Sequence, residues 1–250
     1  MKDDVFHKNT TRNGVRPLSS VLKTLALLDV MARQEKPTRL ADLARLAHMS
    51  RATAHQKLVT LAQAGWVENT GGAYRLSLHA AIVANAALQQ ADLGERIVPF
   101  LEQLVAKAQE TASLAVIEGG AACIVQRVES AGVLRAELHV GAMLDLSNSA
   151  SGRVLVAFAK ESLLEAWRRR KVELPEAKVV AQVRREKFAI SSGLSFAGVR
   201  AIAAPVFDGQ HNCIAALSLV GPLPRFSAAR LRRPLEAAAA QISASLGAPA

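Results

Sequence analysis

Apolar residues recur at helical spacing through the N-terminal part of the chain and predict three short helices. The first begins at Ser19 or Ser20. Two more lie in residues 38–64, with Thr38 expected to cap one N-terminus and Ser50 the other. The apolar stripes are Leu40, Leu43, Ala44 and Ala47 in the earlier helix of this pair, and Ala54, Leu58, Leu61 and Ala62 in the later one. Two helices joined by so short a corner are typical of a helix-turn-helix.

The later helix of the pair carries small, hydrogen-bonding or cationic side chains opposite its apolar stripe. Gln and Thr side chains can address base edges, and Ala and Thr can meet a thymine methyl group in the major groove of DNA. Cationic side chains can hold the neighbouring phosphates. The candidate DNA contacts are Arg51, Ala52, Thr53, Gln56 and Lys57. A solvated helix pair inside an all-helical bundle is the alternative that this segment alone leaves open.

A hairpin is predicted directly after the helix pair. Gly65 suits the left-handed end of a helix, and Gly71 with Gly72 suits a tight turn between two short strands in residues 66–75. A helix pair followed by such a hairpin is the winged form of the helix-turn-helix, in which the hairpin tip contacts neighbouring DNA. Arg75, at the base of this wing, therefore joins the candidate phosphate contacts.

Residues 76–92 predict a strongly apolar helix with almost no charge. The segment is too short to span a membrane and too apolar to stand alone in water. We expect it to be buried between chains or between domains, and an ordinary core helix is the alternative. Pairing of two chains suits a DNA reader, because it places two reading helices about 34 Å apart along the duplex.

From residue 111 onward the apolar period changes from helical to strand-like. The predicted strands are a hairpin in residues 111–129, two strands in residues 133–140 and 143–146, and a long hairpin formed by residues 199–207 and 214–220. Helical segments lie between and after them, which predicts an α+β domain with one antiparallel sheet. Pro205, inside the long hairpin, indicates a bulge or an edge strand.

The distribution of charge indicates a partner. The formal net charge is +10, and residues 1–75 contain 12 Lys and Arg against 6 Asp and Glu. A small basic domain is the expected footprint of phosphate binding. The polar, basic composition of residues 1–16 predicts a flexible arm. Arg16 in this arm is a further candidate for contact with DNA phosphates.

Cysteine content and the N-terminus indicate a reduced, cytoplasmic protein. Cys123 and Cys213 lie far apart without a His or second Cys at metal-ligand spacing, so the sequence predicts no metal site and no cofactor. The charged N-terminus lacks the apolar core of a secretory signal, and no run of about 20 apolar residues occurs. We therefore expect neither secretion nor a membrane partner.

Three segments are similar to the IclR family of bacterial transcriptional regulators. They are LADLARLAHMSRATAHQKLVTLAQAGWVE with its flanks, HVGAMLDLSNSASGRVLVAF, and the long hairpin GVRAIAAPVFDGQHNCIAALSLVGP. The resemblance covers nearly the whole chain. It implies a winged helix-turn-helix over residues 17–75, a linker helix over 76–92 and a GAF-like effector-binding domain over 93–250. It also implies homo-oligomers, either dimers or dimers of dimers, that bind double-stranded operator DNA.

The resemblance further implies a pocket for a small organic molecule, often an organic or aromatic acid, on one side of the effector-domain sheet. The matching positions are Leu144, Ala150, Ser151, Ser191, Ala201, Ser218 and Val220. Ala150 and Ser151 match the start of a helix, where backbone N–H groups can meet a carboxylate. Relatives commonly have an acidic residue at the position of Ser191 and often a polar one at that of Val220, so this pocket is expected to be less acidic and more apolar.

Gln56 stands where relatives commonly have an Arg in the DNA-reading helix. Gln pairs best with adenine and Arg with guanine. We therefore expect the base preference of this chain to differ from theirs.

These features predict a sequence-specific transcriptional regulator whose operator binding is modulated by a small carboxylic or aromatic acid. An architectural DNA-binding protein without an effector is one alternative, and a small-molecule enzyme is another. The sequence contains no nucleophile elbow, zinc-binding helix motif, phosphate-binding loop or dinucleotide fingerprint. We therefore predict no catalytic residues.

Overall fold

The computed structural model describes residues 16–130, 138–192 and 198–248. The chain divides into two compact units, Met1–Ala87 and Leu88–Ala250. The predicted flexible arm, Arg16 apart, and most of the predicted strand at 133–140 lie outside the described residues. No helix in the described part of the chain is long and apolar enough to cross a membrane.

The first unit is a helix-turn-helix with a three-stranded sheet in the order β1-β3-β2. Its elements are α1 (Ser19–Ala32), β1 (Thr38–Arg39), α2 (Leu40–Leu46), α3 (Arg51–Gln63), β2 (Val67–Thr70), β3 (Ala73–Leu76) and most of α4 (His79–Gln90). Leu27, Leu43 and Leu58, one from each of the first three helices, are fully buried at the centre. The predicted apolar stripes of α2 and α3 therefore form one small core with the buried side of α1.

Of the two predicted helix caps, the structure contains the one at Ser50 and lacks the one at Thr38. The Ser50 hydroxyl accepts a hydrogen bond from the Thr53 N–H at 3.1 Å, which confirms the predicted cap of α3. The predicted Thr38 cap of α2 is wrong, because Thr38 pairs with Tyr74 in the sheet and its hydroxyl donates to the Lys36 carbonyl. The helix therefore begins one residue later than a Thr38 cap implies, at Leu40, with Arg39 in the cap position.

The apolar helix α4 begins at His79 rather than at residue 76. The wing strand β3 extends to Leu76, and Ser77 is held by hydrogen bonds to the Gly65 carbonyl and the His79 N–H, so the helix cannot start earlier. None of the residues in α4 is buried, and Ile82 is 67% exposed. An apolar helix is thus left uncovered along most of its length.

The second unit contains a six-stranded antiparallel sheet in the order β6-β5-β4-β9-β8-β7. Its strands are β4 (Thr111–Glu118), β5 (Ala121–Val128), β6 (Met143–Leu144), β7 (Ala189–Ser192), β8 (Val199–Phe207) and β9 (Cys213–Pro222). Its helices are α5 (Val98–Ala108), α6 (Ala150–Ala157), α7 (Glu161–Arg169), α8 (Ala177–Glu186) and α9 (Ala228–Ser245). This is the α+β architecture that the sequence predicts.

The sheet is covered on both faces. α5 and α9 pack against one face, where Leu114, Ile202 and Leu217 are fully buried. α6 covers the other face, with α8 packed against it. Strand residues therefore alternate between two apolar cores, and any polar side chain on the α6 face faces the interior.

Pro205 lies on β8 past the last pair that β8 makes with β7, which is Ala189 with Ala203. Of the two predicted alternatives, an edge strand is wrong, because β8 lies between β9 and β7, whereas the register shift between Val206 and Phe207 agrees with a bulge beside Pro205. The missing N–H of proline costs no sheet hydrogen bond there.

Candidate functional site

The exposed face of α3 presents most of the predicted DNA contacts. Arg51, Ala52 and Gln56 are exposed and Thr53 is partly exposed. Among the described residues the Arg51 and Gln56 side chains have no hydrogen-bond or ion-pair partner, whereas the Thr53 hydroxyl accepts a hydrogen bond from Ser50 at 2.8 Å. Two long polar side chains at the start of α3 can thus reach a ligand.

Lys57 departs from the prediction. Its ammonium group points into the unit and donates to the Ser20 carbonyl at 2.9 Å and the Thr24 hydroxyl at 3.0 Å, both on α1. The residue is 8% exposed. The expectation that Lys57 holds a DNA phosphate is therefore wrong, since its long side chain spans the gap between α3 and α1.

The two remaining candidate cations are exposed. Arg16 precedes α1 and is exposed. Arg75 forms an ion pair with Glu68 at 2.7 Å across the wing strands, and its side chain stays 59% exposed. A phosphate at the wing must therefore compete with Glu68 for this guanidinium.

All seven residues predicted for ligand contact line one cavity in the second unit. The cavity lies between the start of α6 and the sheet face that α6 covers, and five further residues complete its wall: Ser113, Ile124, Leu138, Ser149 and Val199. Its volume is about 40 Å³, on the measure by which one water molecule needs about 10–15 Å³. With the side chains in these positions, the cavity has room for a compact chemical group only.

The start of α6 offers unused backbone donors to this cavity. Ser149 caps the helix, because its hydroxyl accepts from the Gly152 N–H at 2.9 Å and donates to the Asp145 carbonyl at 2.6 Å. The N–H groups of Ala150 and Ser151 precede the first intrahelical hydrogen bond and have no partner among the described residues. Such a helix terminus favours an anion.

The sheet supplies the opposite wall, where Ser113 faces Ser218 directly across β4 and β9. The Ser218 hydroxyl donates to the Ser113 carbonyl at 3.2 Å. Ser191 faces Ala201, and Ala201 faces Val220, so these three positions continue the wall along β7, β8 and β9. Sequence reasoning missed Ser113, although its place between buried Ala112 and Leu114 in an alternating strand was a usable signal.

Neither cysteine lines the cavity. Both are free thiols of intermediate exposure. Burial raises the pKa of Cys213 to about 12 and also raises the pKa of Cys123. Neither thiol is activated as a nucleophile.

Gly152→Ala is expected to destabilise the second unit by about 1–3 kcal/mol, the usual cost of overpacking a filled site. An added Cβ would lie 2.5 Å from the Asp145 carbonyl oxygen and 2.6 Å from the Leu146 Cα, both of them backbone atoms. Urea unfolding of the full chain measures the change. Ser147→Ala, in the loop before α6, is the control, because it adds no atom and removes only a half-exposed hydroxyl group that donates to Glu173. Equal stability of the two variants would contradict the predicted overpacking.

Comparison with known protein families identifies both units of the chain. The chain matches the family described as bacterial transcriptional regulator IclR C-terminal over residues 85–244, and the IclR helix-turn-helix domain over residues 20–71. The chain belongs to the IclR family. It is therefore a DNA-binding transcriptional regulator with an effector domain.

Individual IclR relatives support the assignment over most of the chain. The sequence is 31% identical to the transcriptional regulator BhcR of Paracoccus denitrificans, over 87% of this chain and 81% of that protein. It is 27% identical to the regulator XynR of Escherichia coli, over 93% and 99%. The crystal structure of Pseudomonas aeruginosa HmgR superposes with a TM-score of 0.76 at 27% identity, over 92% and 100%.

An IclR homologue from Microbacterium hydrocarbonoxydans, solved in complex with 4-hydroxybenzoate, shares the fold with a TM-score of 0.78. Its sequence identity is 22%, over 91% of this chain and 99% of that one.

Proposed function

We propose that this IclR-family protein binds a specific two-fold operator through the exposed face of α3, and that a small carboxylic or aromatic acid bound in the second unit modulates that binding. The observation that carries the proposal is that all seven residues expected from the family resemblance line one cavity. Those residues come from five elements and from distant parts of the sequence.

The chemistry of the cavity supports an organic acid. Its lining is mostly aliphatic or serine, which suits a small carbon skeleton with one polar end. The free N–H groups of Ala150 and Ser151 provide a place for a carboxylate. A related protein of the same fold holds 4-hydroxybenzoate, a compact aromatic acid, which makes this class of ligand the first to test.

The test begins with selection of genomic DNA fragments by the purified full-length protein. Fragments that share a two-fold sequence, bound at least about a thousandfold more tightly than random DNA, are the expected result. Equal affinity for selected and random fragments would instead indicate an architectural DNA-binding protein. Turnover of a bound acid would indicate an enzyme.

Gln56→Ala is expected to lower affinity for the selected operator by about 1–3 kcal/mol and to relax the base preference at one position of each half-site. Gln56 is exposed near the start of α3, the part of a reading helix that contacts base edges. Fluorescence anisotropy with the operator and its single-base variants measures the change.

Gln63→Ala is the matched control, because Gln63 is exposed at the far end of the same helix and should leave the base preference unchanged. Equal loss on operator and random DNA for Gln56→Ala would contradict its assignment as a base reader.

A further inference from the structure

A buried arginine lies beside Ser113, on the same face of the sheet that forms one wall of the cavity. Arg127 on β5 faces Ser113 on β4, and Ser113 faces Ser218 on β9, so the three side chains share the face of the sheet that α6 covers. The Arg127 side chain is 4% exposed. One of its N–H groups donates to the Ser113 hydroxyl at 3.2 Å.

A bulge in β5 accounts for this placement. Ile124, which lines the cavity, and Arg127 are three residues apart and would face opposite sides of a regular strand. On β4, Leu114 pairs with Gln126 and the next residue, Ala115, pairs with Ile124. Val125 has no partner on β4 and is therefore the extra residue of the bulge. The bulge therefore brings an apolar and a cationic side chain to the same face.

The direction of the hydrogen bond decides what Ser113 can do. A guanidinium only donates, so the Ser113 hydroxyl oxygen accepts and its hydrogen is left to donate. Within the described residues no acceptor receives that hydrogen. Ser113 lines the cavity, which makes a ligand atom the natural acceptor.

The charges around the cavity favour an anion. None of the twelve lining residues is acidic or basic. Arg127 stays a cation at neutral pH even though burial lowers its pKa, and Glu129 lies 3.6 Å from its Nε on a side chain that is 43% exposed. A half-exposed carboxylate is screened by water, whereas the buried guanidinium acts through protein of lower dielectric.

We infer that Ser113 and Arg127 form a pair that determines specificity, in which Arg127 positions the Ser113 hydroxyl to donate to the carboxylate of the ligand and favours that carboxylate over a neutral group. The inference rests on the proposed function, because it names residues that select the effector in the same cavity. Ser113 contacts the ligand, and Arg127 acts through Ser113.

Calorimetry on the full-length protein tests the pair with three acids and their amides, which match them in shape and lack their charge. The acids are propionate, benzoate and 4-hydroxybenzoate. At least one acid is expected to bind the unaltered protein about tenfold more tightly than its amide, the range of a hydrogen bond to a charged group. Arg127→Met should bring that ratio near one, and Arg127→Lys should restore most of it.

Ser113→Ala removes only one hydroxyl group and should lower the same ratio, so the test stands even where Arg127→Met fails to fold. Two results would overturn the inference. One is that no acid in the series binds more tightly than its amide, whether or not either binds. The other is that Arg127→Met weakens acid and amide equally, as loss of packing would. Failure of the proposed function is recognised separately. In that case the unaltered protein selects no operator from genomic fragments, an experiment that contains no ligand.

Discussion

On the proposal that two copies of the chain pair through α4, Ile82→Asp is expected to separate them into single chains and to weaken operator binding by about 10²–10⁴-fold, the gain that linking two binding modules provides. Ile82 lies on an apolar helix with no buried residue, and Leu78 and Val83 beside it are exposed as well. Soluble proteins seldom leave such a surface open, and it marks an interaction site. We propose that a second copy of the chain covers it, because an operator of two half-sites needs two reading helices.

Sedimentation velocity measures the oligomeric state and anisotropy the operator affinity of the same samples. Ala84→Asp introduces the same charge on the same helix, about 200° around the axis from Ile82. This control should keep the oligomer. An Ile82→Asp protein that stays oligomeric and binds the operator normally would show that α4 is not the pairing surface.

Lys57→Met is expected to lower the free energy of unfolding of the first unit by about 1.5–3 kcal/mol, the range for hydrogen bonds to a charged group. The methionine keeps the buried stem but removes the ammonium that joins α3 to Ser20 and Thr24 on α1. The dependence of operator affinity on salt should stay unchanged, because no phosphate contact is lost.

Arg51→Met provides the contrast. Its side chain is exposed, so stability should not change, while the slope of log affinity against log salt should fall by about 0.9, the value for one phosphate contact. Thermal unfolding and anisotropy at four salt concentrations separate the two variants. A lower salt slope for Lys57→Met with unchanged stability would restore the original prediction for Lys57.

The sequence predicted elements whose determinants are local. The stripe of Ala54, Leu58 and Leu61 defines the buried side of α3, and two consecutive glycines with positive φ define the turn of the wing. The long hairpin of β8 and β9 was predicted within a residue or two of its observed bounds, since both strands are apolar and flank a polar turn. The α+β class follows from these segments.

The features that sequence reasoning missed depend on tertiary partners. β1 and β7 are short and exist because β3 and β8 offer edges to pair with. Lys57 borders the exposed face of its helix on any helical projection, and only the position of α1 turns its side chain inward. Arg127 reaches the α6 face of the sheet through a bulge that alternation cannot reveal.

The proposed effector acts only if its binding is coupled to operator binding, and such coupling is reciprocal. The dissociation constant for the operator is measured with and without a saturating effector, and that for the effector with and without a saturating operator. Both constants are expected to change by the same factor, about 5–150. If operator and effector both bind and neither dissociation constant changes, the two sites are not coupled and the proposed modulation is contradicted.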